Sequence, residues 1–333
     1  MNPGRLRRAF GGAARAGLAL FLAASAASGA ERPDVRRLPG ATFESGVRLV
    51  GRTWRFDEYE VRFPSPAGGR FRSNDLVWGT LYLPRRPRPD AVLLLPVMAA
   101  PNLWIERRFA YLLVMEGFAV LQLDMPFQFR RAPPGARTGE VFLARRPETL
   151  ARNFSQAVLD ARRAVTWLRG SGLVEPERIA LLGASLGALV GSVTLSVDDR
   201  LAAGALLLGG ADFPSLIANG EMTSRFVRQT GLDVRGLGPA LKGLDPLEYR
   251  EANRGKRVLL VNVRNDLVIP LENALKLRDA FPGCRQLLLP LGHYTAMLHL
   301  LWMPSYVAWQ MRGLLTKQGA GPTLLGTGGD AGR

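Results

Sequence analysis

A serine flanked by small residues is the first candidate for chemistry in this sequence. Residues 183–187 read Gly-Ala-Ser-Leu-Gly, a Gly-x-Ser-x-Gly pattern in which a strand turns sharply into a helix. The turn lifts the serine hydroxyl clear, and larger side chains in place of the two glycines would collide. An aliphatic run at 179–182 precedes the pattern, and small residues follow it from Ala188. We predict that Ser185 is a nucleophile and that the Leu186 amide faces an oxyanion; the alternative is a glycine-rich turn with an idle serine.

A serine hydroxyl at its ordinary pKa is a poor nucleophile, so a base must accept its proton. The chain contains only two histidines. His293 lies in a loop that follows a predicted strand at 286–289, whereas His299 falls inside an apolar helical pattern. For His299 the expected role is packing or a hydrogen bond at a helix end. We therefore predict that His293 is the base.

The acid that orients this histidine should also follow a strand and should precede the histidine in the chain. Asp266 meets both conditions, because it directly follows a predicted strand at 257–263. The resulting order of serine, aspartate and histidine differs from the orders of trypsin-like and subtilisin-like enzymes. Alternatives remain open: Asp266 as the N-cap of the next helix, and Asp212 or Asp124 as the acid in its place.

Strands and helices alternate through most of the chain, and these elements must position the candidate residues. Continuous aliphatic runs indicate strands that are buried on both faces, and apolar residues at helical spacing indicate the helices between them. Predicted strands lie at 57–63, 76–83, 92–95, 119–123, 179–182, 201–208, 257–263 and 286–289, and predicted helices at 103–116, 149–168, from 188, at 271–281 and at 295–315. Such alternation predicts an α/β fold with a mostly parallel sheet, whose carboxyl edge carries the functional residues.

The segments outside this alternation define the predicted domain organisation. Residues 31–56 are a lead-in, and residues 57–316 form one α/β domain. A long insertion at 212–254, interrupted by glycines, is predicted to be a cap over the site. The glycine-rich residues 317–333 are predicted to be a disordered tail.

The amino-terminal residues 1–30 have the pattern of a signal peptide. Four arginines within 1–15 precede an uncharged stretch at 16–30, which ends in Ser-Gly-Ala before Glu31. The stretch is shorter than the roughly 20 apolar residues of a membrane span, and no later segment reaches that length. We predict a cleaved signal and export to a bacterial periplasm or medium, with an N-terminal anchor as the alternative. The Arg-Arg-Ala-Phe sequence at 7–10 is similar to a twin-arginine signal.

The charge is strongly positive but is not patterned for nucleic acid. The formal net charge is +16, and lysine accounts for only four of the 44 basic residues. The arginines occur mostly singly or in pairs along the chain, without a basic stripe interleaved with aromatic residues. We therefore predict no nucleic-acid partner, while adhesion to anionic envelope surfaces stays open. The single Cys284 excludes an intrachain disulfide.

Together these motifs resemble the α/β-hydrolase superfamily over about residues 57–316. The likeness is closest to dienelactone-hydrolase-like and acetyl-xylan-esterase-like bacterial members. The segments that carry it are Leu123-Asp124-Met125-Pro126 with Arg130-Arg131, Leu244-Asp245-Pro246-Leu247, Asn265-Asp266-Leu267-Val268-Ile269-Pro270 and Gly292-His293-Tyr294. The resemblance implies an α/β-hydrolase fold, with helices on both faces of the central sheet and a small cap insertion.

The resemblance also implies roles for individual residues. Ser185, Asp266 and His293 would form a catalytic triad, and the Leu186 N–H would be one oxyanion donor. Many members carry His-Gly after the third strand, whereas this chain has Pro-Val-Met at 96–98. The second donor is then expected to be the backbone amide of Val97 or Met98.

A hydrolase of carboxylic esters, acting on a small-molecule ester without a metal or organic cofactor, is the function that these expectations favour. Trp104, Phe213 and Met222 are predicted to line an apolar substrate pocket. A peptidase, a thioesterase or an acyltransferase would share the triad and differ in the pocket. A non-catalytic binding protein on the same scaffold is a further alternative, since a fold does not guarantee catalysis.

Overall fold

The computed structural model describes residues 32–40, 42–68, 71–98 and 100–316. The predicted signal peptide at 1–30 and the predicted tail at 317–333 lie outside these residues and stay predictions. In the described part of the chain, no helix combines the length and the apolar composition that a membrane span requires.

One sheet organises the described residues. Its strands are β1 Gly46–Arg52, β2 Phe56–Pro64, β3 Leu76–Pro84, β4 Ala91–Leu95, β5 Ala119–Asp124, β6 Ile179–Ala184, β7 Ala203–Leu207, β8 Val258–Val263 and β9 Arg285–Leu289. Their order across the sheet is β1-β2-β3-β5-β4-β6-β7-β8-β9. The pairs β1–β2, β2–β3 and β3–β5 are antiparallel, and the pairs from β5–β4 to β8–β9 are parallel.

Helices cover both faces of this sheet. They are α1 Trp104–Met115, α2 Pro147–Gly170, α3 Leu186–Val197, α4 Phe213–Asn219, α5 Glu221–Thr230, α6 Leu237–Leu241, α7 Leu271–Ala280 and α8 Met303–Leu315. Short 3₁₀ helices occur at Arg72–Asn74, Phe129–Arg131, Pro246–Tyr249 and Thr295–Leu301. Side chains of β4 show the division, since Leu93 and Leu95 pack into a core with α2 and α3, whereas Leu94 packs with α1 and α8. The predicted α/β architecture is confirmed.

The central strands are mostly apolar because both of their faces are buried; the exceptions in β5 and β8 are Gln122, Asp124 and Asn262. Every residue of β4, β5, β7 and β8 is buried. Parallel strands bring their carboxyl ends to the same edge of a sheet. The residues that follow β6, β8 and β9 therefore share that edge, and these are the segments that contain the three candidate triad residues.

Strand β1 was not predicted, and it lies inside the segment that we interpreted as a lead-in. It pairs with β2, so the sheet begins at Gly46. Its side chains are mostly exposed, including Val47 and Val50, because it is an edge strand with no buried face. The alternation of apolar and polar residues that marks a half-buried strand is consequently absent.

The insertion at 212–254 consists of the short helices α4, α5 and α6 and a 3₁₀ helix. Gly220 separates α4 from α5, and Gly231 ends α5 with a φ of +68°. A left-handed glycine is the common way to end a helix, because it has no Cβ to clash. The glycines thus divide the insertion into short helical pieces, as the sequence predicted.

The predicted helix at 295–315 is wrong in its first part. Residues Thr295–Leu301 form a 3₁₀ helix, and α8 begins only at Met303. Pro304 explains the break, because proline has no N–H to continue a preceding helix and fits the first turn of a new one. The apolar periodicity runs through the break, which is why the pattern indicated one helix.

A buried ion pair connects the 3₁₀ helix Phe129–Arg131 to α2. The Arg131 Nη2 and Asp160 Oδ2 atoms are 2.7 Å apart, and both side chains are almost fully buried. The contact lacks hydrogen-bond geometry, while Arg131 donates to the carbonyls of Asn74 and Asp124. Burial raises the pKa of Asp160, and Arg131 acts to lower it. Arg131 therefore joins three segments below the carboxyl edge.

Replacing Arg131 with methionine should lower the free energy of unfolding by about 3–5 kcal/mol, the usual effect of removing one member of a buried ion pair. Denaturant unfolding followed by circular dichroism measures this. Arg228→Met on the exposed side of α5 is the matched control and should change stability by less than about 0.5 kcal/mol. Equal effects of the two changes would refute a structural role for the buried arginine.

Candidate active site

Ser185 stands at a strained turn between β6 and α3. Its φ of 50° and ψ of −115° lie outside the regions that residues with a side chain normally adopt. The Ser185 N–H donates to the Leu207 carbonyl at 2.9 Å, which ties the turn to β7. Strain of this kind persists only where the surrounding structure enforces it, and it is concentrated at functional sites.

The two glycines of the motif are required by the closeness of the backbone on either side of Ser185. A Cβ atom on Gly183 would lie 2.1 Å from the Gly187 carbonyl oxygen. A Cβ atom on Gly187 would lie 2.2 Å from the Leu95 carbonyl oxygen, at the end of β4. Both distances are far below van der Waals contact, so the helix that begins at Leu186 is held directly against β4.

Asp266 and His293 are in direct contact at the same edge of the sheet. The His293 Nδ1 lies 2.8 Å from Asp266 Oδ2 and 3.1 Å from Oδ1. Asp266 Oδ1 also accepts hydrogen bonds from the amides of Val268 and Ile269, at 2.9 and 2.8 Å. A carboxylate can only accept, so this contact favours the tautomer of the neutral ring that has its proton on Nδ1 and its lone pair on Nε2. That is the tautomer that a general base needs.

The alternative acids and the second histidine have other partners. Asp212 caps α4 and pairs with Lys276 at 2.7 Å. Asp124 is fully buried and pairs with Arg130 at 2.6 Å. His299 Nδ1 accepts a hydrogen bond from Trp302 Nε1 at 3.0 Å. Among the described residues, none of these three forms a hydrogen bond or an ion pair with His293 or Ser185.

Ser185 is near the Asp266–His293 pair but is not hydrogen-bonded to it. Adjacent strands lie about 4.8 Å apart, so the ends of β6 and β8 are roughly 10 Å apart across β7. One cavity bridges that distance, since both Ser185 and the Asp266 loop residues Val268 and Ile269 line it. In the described residues the Ser185 hydroxyl forms no hydrogen bond. The structure therefore joins Asp266 and His293 directly, and it places Ser185 on a cavity that the loop after Asp266 also lines.

Hydrogen bonds show which of the three predicted oxyanion donors have an N–H that is still available. The Val97 N–H donates to Glu106 Oε1 at 3.0 Å, so the single N–H of this predicted donor is already engaged. The amides of Leu186 and Met98 donate to no group in the described part of the chain. Leu186 is the first residue of α3, where N–H groups have no partner within the helix. Two of the three predicted amides are therefore available.

The cavity beside Ser185 is apolar and has a volume of about 60 Å³. The predicted residues Phe213 and Met222 line it, as does Met98. Trp104 does not: it is 58% exposed at the start of α1, whose buried face begins at Glu106. The remaining lining residues are Phe142, Leu143, Leu150, Phe154, Leu186, Leu189, Leu216, Ile217, Thr223, Leu241, Val268 and Ile269.

Two buried polar residues beside the site were not predicted. Glu106 lies on α1 at the spacing of the buried residues Phe109, Ala110 and Leu113, where a carboxylate is unusual. A carboxylate on the apolar face of a predicted helix is a feature of the sequence that could have indicated a buried hydrogen-bonding role for Glu106. Gln128 donates from Nε2 to the Val97 carbonyl at 3.1 Å, and its position in a loop gave no such signal. Within the described residues, no group of acidic, histidine or cysteine side chains has the arrangement of a metal site.

Solved structures with the same fold include esterases and a peptidase. An acetyl xylan esterase from Paenibacillus sp. R4 has a TM-score of 0.64 and 17% identity, over 80% of this chain and 88% of that one. Acetyl xylan esterase 1 from Thermoanaerobacterium sp. JW/SL YS485 gives 0.60 and 14%, over 79% and 88%. For the acylaminoacyl peptidase of Pyrococcus horikoshii the values are 0.61 and 17%, over 81% of this chain and 43% of the peptidase.

Comparisons with protein-family models and with curated protein sequences give no match. The similarity to the solved structures nevertheless extends over most of the chain. It agrees with the sheet order and with the turn at Ser185, so the chain has the α/β-hydrolase fold.

Gly187→Ala should lower the free energy of unfolding by about 3 kcal/mol or more, because the added methyl group would overlap backbone atoms of β4. The matched control is Gly313→Ala in α8, where a Cβ atom would meet open space. That change should stabilise the protein by about 0.5–1 kcal/mol, since alanine favours helix. Thermal unfolding of both variants measures the difference, and a Gly187→Ala variant as stable as the wild type would contradict the close packing described.

Proposed function

We propose that the protein is a serine hydrolase that cleaves carboxylic esters through an acyl-enzyme intermediate. The observation that carries this proposal is the combination at one sheet edge of the strained Ser185 and the hydrogen-bonded Asp266–His293 pair. Either feature alone has a structural explanation, as a tight turn or as a capped loop. Their occurrence at one edge of the sheet, with Ser185 and the loop after Asp266 lining one apolar cavity, favours a common chemical role.

In the proposed reaction Ser185 Oγ attacks the acyl carbon while His293 Nε2 takes its proton. The Asp266 carboxylate holds the Nδ1 proton and stabilises the imidazolium that forms. The Ser–His hydrogen bond need not exist beforehand, because catalytic hydrogen bonds often tighten only when substrate is bound. The carbonyl oxygen gains the negative charge and faces the amides of Leu186 and Met98.

Collapse of this intermediate breaks the bond to the alkoxide leaving group, which receives the proton from His293. Water then repeats the sequence on the acyl-enzyme: His293 removes a proton, hydroxide attacks the acyl carbon, and the carboxylic acid leaves as Ser185 regains its proton. No step in this scheme requires a group beyond the chain and water.

The apolar cavity is proposed to hold the acyl group. Its walls come from two sides, with Met98 and Leu186 at the sheet edge and residues of α4, α5 and α6 opposite. This arrangement supports the interpretation of the 212–254 insertion as a cap. A pocket without charged residues favours an uncharged acyl chain over an acidic or a basic one.

Active-site labelling with a fluorophosphonate tests the nucleophile and the base. Ser185→Ala should abolish labelling and the hydrolysis of p-nitrophenyl esters, because the change removes the proposed nucleophilic hydroxyl. His293→Ala should reduce kcat by at least about 10³-fold, since the serine then lacks its base.

The second histidine provides a matched control for this experiment. His299→Ala should retain most of the wild-type kcat, because His299 is bonded to Trp302 and not to the triad. Labelling that persists in the Ser185→Ala protein would remove that residue from the mechanism. Loss of activity in both histidine variants would instead indicate a general effect on folding.

The acyl preference follows from burial in the cavity. Each methylene buried is worth about 0.8 kcal/mol, so kcat/KM should rise roughly fourfold per carbon from p-nitrophenyl acetate to butyrate. Met222→Trp, which adds volume at a partly exposed wall, should remove this gain while acetate hydrolysis continues. Trp104→Ala, outside the cavity, should leave the chain-length profile unchanged. A flat or falling profile in the wild type would exclude the cavity as an acyl site.

A further inference from the structure

The peptide groups on both sides of Val97 are held by buried polar side chains. Glu106 Oε1 accepts the Val97 N–H at 3.0 Å, and Gln128 Nε2 donates to the Val97 carbonyl at 3.1 Å. Glu106 belongs to α1, whereas Gln128 lies beyond β5, so the two contacts come from separate parts of the chain. The short loop after β4 is therefore fixed at two consecutive peptide units.

Burying these two polar side chains costs free energy that burying apolar side chains would not. Glu106 is 2% exposed and Gln128 is fully buried. One oxygen of each, Glu106 Oε2 and Gln128 Oε1, has no hydrogen-bond partner in the described structure. No cation forms an ion pair with Glu106 among the described residues, and burial raises the pKa of its carboxyl. An apolar side chain at either position would be cheaper to bury, which points to a requirement for these hydrogen bonds.

The loop they hold is the one that touches the nucleophile turn. A Cβ atom on Gly187 would meet not only the Leu95 oxygen but also the Pro96 oxygen, at 2.9 Å. The next residues, Val97 and Met98, continue from this contact, and Met98 lines the cavity together with Ser185. A shift of this loop would therefore change the geometry around the serine directly.

The contact from Gln128 also fixes the direction of the Met98 N–H. The Val97 carbonyl and the Met98 N–H belong to the same planar trans peptide, in which the two groups point in opposite directions. Because Gln128 holds the carbonyl on its side, the Met98 N–H must point the other way. The Glu106 contact fixes the preceding peptide, so the Met98 amide cannot rotate freely.

We propose that Glu106 and Gln128 are positioning residues that aim the Met98 N–H at the oxyanion formed during catalysis at Ser185. The inference rests on the proposed function and adds to it the origin of one oxyanion donor. Neither side chain touches substrate in this scheme. Each acts through Val97, whose own N–H is withdrawn from catalysis by the contact with Glu106.

Steady-state hydrolysis of p-nitrophenyl butyrate by four variants tests this role. Glu106→Met and Gln128→Met keep the approximate side-chain volume and remove the hydrogen bonds. Each should lower kcat by about 10- to 100-fold with little change in KM, because an oxyanion donor acts mainly in the transition state and small misplacements at such a site are costly. Glu106→Gln keeps an acceptor for the Val97 N–H and should recover most of the wild-type kcat.

The fourth variant, Asp198→Asn, separates positioning from general stability. Asp198 is a buried carboxylate paired with Arg162 and Arg200, before the amino end of β7 and away from the cavity. It should lower the unfolding temperature without lowering kcat. If Glu106→Met does not fold, Gln128→Met gives the same test independently, since it releases the other side of Val97.

The possible results distinguish this inference from the proposed function. Folded Glu106→Met or Gln128→Met protein with the wild-type kcat would overturn the positioning role, while Ser185-dependent hydrolysis by the wild type would still support the esterase. A rise in KM at constant kcat would also overturn it, because it would indicate ground-state binding. A wild type without Ser185-dependent ester turnover would refute the proposed function and the inference together.

Discussion

Close contact between the turn at Ser185 and the end of β4 is the constraint on which the rest of the site depends. The Gly187 backbone lies so near the Leu95 carbonyl that no Cβ atom can be accommodated. The adjacent Ser185 has a backbone conformation of a kind that costs about 1–3 kcal/mol, and the packing of the central strands and α3 must offset that cost. Because the Ser185 turn and the loop after β4 are in close contact, a side chain that holds the loop in position also restricts the position of the turn.

Buried polar groups provide that fixation at the carboxyl edge of the sheet. Arg131 bonds to the carbonyls of Asn74 and Asp124, and Gln128 and Glu106 hold Val97. At this edge, buried apolar residues such as Met125 and Phe127 pack in the core, and directional hydrogen bonds additionally position the loop backbone. Such groups are expensive to bury without partners, and their concentration here distinguishes this edge from an ordinary surface.

The sequence predicted those features that depend on local chemistry. The parallel core was predictable because fully buried strands are continuously apolar, and the turn at Ser185 because only glycines fit beside it. Other features depend on contacts between distant segments, which leave no local pattern. The Val97 amide was predicted to be an oxyanion donor, because nothing near it in the sequence shows that Glu106, on another element, accepts its N–H. The exposed edge strand β1 was missed because it has no apolar face. The catalytic roles of Ser185, Asp266 and His293 stay predictions.

A hydrogen bond connects the 212–254 insertion to the loop that contains Asp266. The Glu221 N–H at the start of α5 donates to the Leu267 carbonyl at 2.6 Å, next to Asp266. Helix α5 fully buries only Thr223, and its Phe226 and Val227 are partly buried against the core, whereas the loop that contains Asp266 directly follows β8. An element with little buried surface opens at a lower free energy than the core does. Under the proposed function, substrate that packs against α5 contacts a wall with little fully buried surface, while the Asp266 carboxylate stays attached to the sheet.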